Sequence, residues 1–338
     1  MEYASIEQRM AKSYLDLLPP FIPDEAASVS VAEQQRFYDL ISGLYQLLFA
    51  EPALLVPQTH DDFLPPPRFA EKASEYPGQP EMRKFLKAEN ELLQFMFALG
   101  QGEAPKLNKR QQAILDRLGV DVADLPAGWV WMSSRPDAHQ SRFNYCLFRE
   151  DRDYEYASIV YSRLLGEEAF RKLEGWMQAL GYRPSVAFDT TGSDCKLILV
   201  YANPAWGEGQ PSSSFEYKVK HSGVAVRYDT RTSEPAVLGL CIPNGLKPYL
   251  EAFGSAPQAV QDFIIKYAKV CNDCRYCVQT DKTGKRPLAK IAVRHAGAEH
   301  ELCPYYPGFR FSWTSLDDGL VEQLVTMLGF IDRFAPGA

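Results

Sequence analysis

Four cysteines near the end of the chain have the spacing of a metal site. Cys271, Cys274 and Cys277 follow one another at three-residue steps in CNDCRYC, and 25 residues separate the last of them from Cys303. Cysteine thiolates bind zinc at about 2.3 Å, and four of them complete a closed, tetrahedral structural site. The sequence therefore predicts a zinc ion held by these four side chains.

Other interpretations of the same residues stay open. His295 and His300 lie in the predicted hairpin AKIAVRHAGAEHELC, so either could replace a cysteine as a ligand. The triple spacing, followed by Cys303-Pro304, also resembles ferredoxin ligation and makes a 4Fe-4S cluster the alternative cofactor. Against the cluster, the ferredoxin run has its fourth cysteine three residues after the third. A third interpretation is that no metal binds and Cys271 is a buried thiol at a helix end.

Basic and aromatic residues surround the cysteines. The loop 282–294 contains Lys282, Lys285 and Arg286, and the stretch 305–313 contains five aromatic residues, among them Tyr305 and Trp313. Such residues can follow a phosphate backbone and stack on bases, which predicts nucleic-acid contacts in the alternative function. The competing interpretation is that the aromatic residues cover a site too small to have its own core.

The C-terminal segment also carries a resemblance. The runs CRYCVQTDKTGKRPLA and LCPYYPGFRFSWTSLDDGLVEQLVTMLGFID, within residues 271–334, resemble the tail of uncharacterised proteins from clostridia and related Firmicutes. The resemblance implies a bacterial protein whose cysteines, TDKTGKRP loop and last helix belong to one module. It implies no activity and therefore no catalytic residue.

Composition and charge narrow the class of protein. The 338 residues are 46% hydrophobic and 23% charged with a net charge of −7. These values predict a globular chain of two domains, or of one domain with large appendages, that is not coated in phosphate-binding residues. The polar, acidic N-terminus predicts no signal peptide, and Leu40–Val56 is too interrupted to span a membrane. Seven cysteines, an odd number with three of them in CNDCRYC, favour a reducing environment, so the predicted location is cytoplasmic.

Hydrophobic periodicity predicts an α+β fold in three regions. Residues 1–125 are predicted to be helical, residues 126–270 to form an antiparallel sheet with flanking helices, and residues 271–338 to form a cysteine-rich metal knuckle with a last helix. Short connections without intervening helices favour the antiparallel arrangement. The predicted helices are 31–50, 81–99, 108–119, 156–165, 167–180, 246–253, 257–270 and a last helix capped by Asp317; the predicted strands are 185–189, 196–202, 214–220, 223–228 and 235–242.

No catalytic signature accompanies these features. Cys146, Cys195 and Cys241 lie in apolar, strand-like stretches and are predicted to be core residues. The prediction is a soluble protein with a structural zinc site, small-molecule binding or regulatory rather than enzymatic. The alternatives are a nucleic-acid-associated protein and an iron–sulfur redox protein. The sequence identifies no substrate and no partner.

Overall fold

The structure, a computed structural model, describes residues 5–57, 79–135, 152–189, 196–207, 222–228, 236–271, 289–304 and 311–336. The fold is α+β, with α-helices and antiparallel sheets, as the sequence predicts. The chain divides into two compact units. One consists of Met1–Val160, Phe188–Leu197 and Tyr228–Pro235, and the other of Tyr161–Ala187, Ile198–Arg227 and Ala236–Ala338. The predicted division into residues 1–125, 126–270 and 271–338 stays a prediction.

The first unit is largely helical. Its interior contains the aromatic side chains of Tyr14, Phe37, Tyr45, Phe85 and Trp129, each no more than 1% exposed. The predicted helix at residues 31–50 is confirmed to the residue, and the next two differ from prediction by one or two residues at their ends. The described helices are α1 (Ile6–Asp16), α2 (Val31–Ala50), α3 (Gln79–Gly100), α4 (Lys109–Arg117), α5 (Ala127–Ser134) and α6 (Asp153–Leu165), of which the last passes from the first unit into the second.

Side-chain caps explain where several helices begin. The Ser30 hydroxyl accepts a hydrogen bond from the backbone N–H of Glu33 at 3.3 Å, and α2 starts one residue after Ser30. The Asn108 side-chain oxygen accepts a hydrogen bond from the backbone N–H of Gln111 at 2.9 Å. In turn, the side-chain oxygen of Gln111 accepts a hydrogen bond from the backbone N–H of Asn108. Each cap satisfies donors that have no partner within the helix.

The second unit is built around a five-stranded sheet. In spatial order its strands are β1 (Arg183–Asp189), β2 (Lys196–Ala202), β3 (Gly223–Tyr228), β4 (Ala236–Cys241) and β7 (Ser312–Trp313), so the first four follow one another as a meander. Four of the five predicted strands are confirmed, and the predicted strand 214–220 lies outside the described residues. The remaining strands, β5 (Ile291–His295) and β6 (Ala298–Leu302), form a separate two-stranded sheet.

Helices pack beside this sheet. They are α7 (Glu167–Ala179), α8 (Lys247–Glu251), α9 (Gln258–Tyr267) and α10 (Asp318–Ile331). Both α7 and α9 contact α10. The predicted apolar face of α10 is confirmed, since Leu320, Val321, Leu324, Leu328 and Ile331 are all buried. For α7 the sequence predicts one apolar face made of Phe170, Leu173, Trp176, Met177 and Leu180, but Trp176 and Leu180 are 44% and 48% exposed. The buried stripe there is narrower than the apolar stripe in the sequence.

The end of α9 is a second correction. The sequence predicts helix to Val270, but the helix ends at Tyr267 and Ala268 is extended, with φ −69° and ψ 145°. Val270 instead pairs with Leu302 in an antiparallel bridge. Strand pairing therefore replaces the last predicted turn of the helix, and this change brings the chain to Cys271 beside β6. None of the helices in the described residues is long and apolar enough to cross a membrane.

Candidate metal centre

The small sheet of β5 and β6 adjoins Cys271 and Cys303, two of the four predicted ligands. β5 and β6 pair antiparallel from Ile291↔Leu302 to His295↔Ala298, which confirms the predicted hairpin. The two-residue turn between them has Ala296 at φ 47° and Gly297 at φ 81°, both left-handed, as a tight hairpin of this type requires. On its other edge, β6 pairs with Val270 through the bridge to Leu302. The strand β6 therefore lies between β5 and the segment that leads from α9 to Cys271.

Two of the four predicted ligands lie on one face of this small sheet. The backbone N–H of Cys271 donates to the Glu301 carbonyl at 2.8 Å, and that of Cys303 donates to the Lys269 carbonyl at 3.0 Å. Side chains alternate between faces along each strand, so Cys271 and Cys303 both point away from the face of Val270 and Leu302. They are diagonal neighbours on adjacent strands, a relation that separates Cα atoms by about 7–8 Å. Both are half-buried.

The rest of the predicted site is not described. Cys274 and Cys277 lie outside the described residues, as do Lys282, Lys285, Arg286 and Tyr305. Within the described ranges, no group of three or more His, Cys, Asp or Glu side chains is arranged to hold a metal ion. The described residues therefore contain two of the four predicted ligands, Cys271 and Cys303.

The histidines lie on the other face. His300 pairs with Val293 across the hairpin, and His295 follows Val293 by two residues, so both rings share the face of Val293 and Leu302. The imidazole Nε2 of His295 lies 3.1 Å from Asp262 Oδ1 of α9. The His295 ring also contacts the Phe253 ring edge-on, with 6.2 Å between the two ring centroids. The register thus separates the two predicted substitute ligands from Cys271 and Cys303.

A carboxylate and an ammonium group lie on the face of the small sheet to which Cys271 and Cys303 belong, the cysteine face. Glu301 lies opposite Cys271 and two residues before Cys303, so its side chain belongs to the same face. The Lys290 Nζ contacts Glu301 Oε2 at 2.7 Å. The cysteine face therefore carries this ion pair and, opposite Cys303, the side chain of Lys269.

The described aromatic residues of the tail have packing roles. Phe311 is 2% exposed and lies 5.4 Å from the ring of Phe263 in α9. Trp313 meets Tyr267 edge-on at 5.2 Å and pairs with Leu238 through β7. These contacts favour the packing interpretation of the aromatic stretch for the two residues that the structure describes there.

Sequence reasoning missed a polar cluster in the second unit. Asp332, at the end of α10, accepts hydrogen bonds from the Tyr182 hydroxyl and, at 3.1 Å, from the Trp206 indole N–H. Burial, reinforced by the bond to Asp332, raises the pKa of Tyr182 well above its ordinary value. Because the partners are 126 and 150 residues apart in sequence, no local pattern could have indicated this cluster.

Surface clefts in the described residues lie along α3 in the first unit. One of about 410 Å³ is lined by residues that include Glu7, Lys84 and Arg110. Its charged side chains are of both signs, and Arg110 already donates to the Leu55 carbonyl at 3.2 Å. This mixture of charges does not specify a ligand class.

No protein-family model, curated protein or solved structure matches this chain.

Proposed function

We propose that the protein is a non-enzymatic, ligand-binding or regulatory protein whose C-terminal cysteines hold one structural zinc ion. Cys271, Cys274, Cys277 and Cys303 are the proposed ligands. The observation that carries the proposal is the bridge between Val270 and Leu302, which brings the first and last of these cysteines to the same face of adjacent strands. A zinc ion there would link the exit of α9 to the hairpin, in addition to the bridge and its two backbone hydrogen bonds.

A metal accounts for this arrangement better than a direct disulfide. A disulfide requires Cα atoms about 4.4–6.8 Å apart, and diagonal neighbours on paired strands exceed that range. Two thiolates can instead approach one ion from neighbouring strands without a change in register. The small sheet of two five-residue strands and a single bridge also has little core of its own, and a bound metal compensates for that.

The face on which the histidines lie argues for four cysteine ligands rather than three cysteines and a histidine. His295 already contacts Asp262, and both rings point away from the cysteine face. The same separation makes His295→Gln and His300→Gln useful controls, since neither substitution is expected to change the metal content.

Elemental analysis of the purified protein tests the proposal. We expect about one zinc per chain, lost together with thermal stability in Cys274→Ser and Cys277→Ser, because a structural site leaves no ligand to spare. Cys241→Ala is the matched control: this cysteine is buried in the main sheet, so its removal should leave the zinc content unchanged. A metal-free wild type that is equally stable would overturn the proposal.

The same preparation distinguishes the other two functions. Iron with acid-labile sulfide, and a brown colour after anaerobic purification, would indicate the 4Fe-4S alternative. Binding to single-stranded nucleic acid that weakens steeply with added salt would indicate the nucleic-acid-associated alternative. Of the predicted basic loop 282–294, the structure describes the two basic residues Lys290 and Arg294.

A further inference from the structure

Asp332 is an acidic residue at a helix end that disfavours negative charge. It is the C-cap of α10, whose last turn contains no basic residue. The C-terminal end of a helix is the negative end of its dipole, so a carboxylate there is electrostatically unfavourable. Among the described residues, Asp332 makes no ion pair that would offset this effect. An unfavourable local choice of this kind indicates that the side chain serves contacts outside its own helix.

Each carboxylate oxygen of Asp332 accepts one hydrogen bond from a different part of the chain. Its Oδ2 accepts from the hydroxyl of Tyr182, which immediately precedes β1, and its Oδ1 accepts from the Trp206 indole N–H at 3.1 Å. Trp206 ends the short turn Pro204–Trp206 that follows β2. Burial raises the pKa of Tyr182, so its hydroxyl keeps the proton that it donates. The carboxylate therefore joins the end of α10 to the start of β1 and to the turn after β2.

Further contacts close these bonds into a ring. The backbone N–H of Trp206 donates to the Asn203 carbonyl at 3.1 Å, and the N–H of Asn203 donates to the Ser222 carbonyl at 2.9 Å. The Ser222 hydroxyl lies 3.4 Å from the Tyr182 hydroxyl. The ring thus runs from Asp332 through Trp206, Asn203, Ser222 and Tyr182 back to Asp332.

We infer that Asp332 is the hub of a conformational latch: its carboxylate holds the segment Asp332–Phe334 and the turn Pro204–Trp206 against each other, so that the two open together. Asp332 is half-buried, so its carboxylate can turn toward solvent once one of its two bonds is lost. Loss of the Tyr182 bond should therefore also release Trp206, although no hydrogen bond joins these two described side chains. Bonds that acted independently would break one at a time. The latch does not involve the proposed zinc site.

Hydrogen exchange followed by mass spectrometry tests the latch in variants that remove single groups. Tyr182→Phe removes only a hydroxyl, and we expect exchange in residues 203–207 and 332–336 to rise about 10-fold or more, as the loss of a hydrogen bond to a charged group implies. Asp332→Asn should affect both segments in the same way, because the amide turns a donor toward one of the two donors that it faces. The last turn of α10 should be no less protected in Asp332→Asn, since an unfavourable charge at its end is removed.

Tyr249→Phe is the matched control. Its buried hydroxyl donates to the Pro243 carbonyl at 3.1 Å rather than to Asp332, so residues 203–207 should exchange as in the wild type. The amides of the ladder between β2 and β3 report any general loss of stability in each variant. In the Asp332→Asn background, Tyr182→Phe should add little, because the hub that transmits its effect is already lost.

Wild-type exchange of residues 203–207 in Tyr182→Phe would overturn the inference, as would an equally large further rise in the double variant. If the ladder amides also lose protection in Tyr182→Phe, Asp332→Asn decides by itself, since it changes a half-exposed side chain. Unchanged exchange of residues 203–207 in that variant would show that Asp332 is no hub.

Discussion

At the scale of single residues, Cys241 is the cysteine whose environment is fully described. It ends β4, is 2% exposed, and packs in a cluster with Ile198, Val200, Ala202 and Ala225. Burial raises the pKa of its thiol to about 12. The neutral thiol is thus the form that the fold accommodates, and this makes Cys241 a core residue, as the sequence predicts.

The raised pKa of Cys241 gives a stability prediction at alkaline pH. The unfolded thiol ionises near pH 8.5, so above that pH the unfolded chain loses a proton that the folded chain keeps. The contribution to stability is complete below about pH 8.5 and is lost as the pH rises toward 12, by up to about 1.4 kcal/mol per pH unit. We expect urea unfolding between pH 8 and 10 to show this loss in the wild type.

Cys241→Ala is the informative comparison, because it removes the titrating group while the fold loses only a small apolar contact. Its free energy of unfolding should depend less on pH in the same interval. The range stays below pH 10 because buried Tyr182 and Tyr249 also have raised pKa values and should contribute above that point. Parallel pH curves for the two proteins would contradict the assignment.

At the scale of elements, the close approach of α5 to α2 depends on a residue without a side chain. A Cβ at Gly128 would collide with the backbone carbonyl oxygen of Glu33 in α2. The neighbouring Trp129 is fully buried against α3, where its indole N–H donates to the Met96 carbonyl at 2.8 Å. The indole and the glycine together fix how α5 sits between the two longer helices.

We expect Gly128→Ala to destabilise the first unit by about 1–3 kcal/mol, because the added methyl group must push α5 away from the α2 backbone. Gly175→Ala in α7 is the matched control: nothing lies within 4 Å of a Cβ there, so alanine should be neutral or stabilising by up to about 1 kcal/mol. Thermal unfolding followed by far-UV circular dichroism measures both. A Gly128→Ala protein as stable as the wild type would show that the helices adjust without cost.

At the scale of the whole molecule, the proposed metal should stabilise one part of the chain and not another. The cysteines and the hairpin belong to the second unit, whereas α1 to α5 belong to the first. We expect a strong chelator to increase hydrogen exchange in residues 268–271 and 291–303, where the ladder bonds of Cys271 and Cys303 lie. The amides of α2 and α3 should keep their protection, because their bonds do not depend on the hairpin.

Hydrogen exchange followed by mass spectrometry, with and without chelator, resolves these segments. The same chelator saturated with zinc before it is added is the control for general effects of the reagent. Loss of protection throughout the chain would mean that the metal stabilises the whole fold rather than the hairpin. Unchanged exchange in the hairpin would mean that the ladder holds without metal.

The sequence by itself determined most elements of this protein. Period-2 runs and turn residues located β1 to β4, and caps such as Ser30, Asn108 and Asp317 located helix starts, because these signals act over a few residues. It also determined the cysteine spacing, since ligand type and separation are local properties. The limits of the local signal appear at Trp176 and Val270, where apolar residues extend an apparent helix stripe beyond what the fold buries or keeps helical.

Only the tertiary structure decided which residues share a face. The register of Val270 with Leu302 brings Cys271 and Cys303 to one face of the small sheet, which Glu301 and Lys290 share. His295 and His300 lie on the other face. A shift of one residue would exchange the faces without changing any local propensity. Register depends on contacts between segments that are distant in sequence, and for that reason the composition of the site's surroundings could not be obtained from spacing alone.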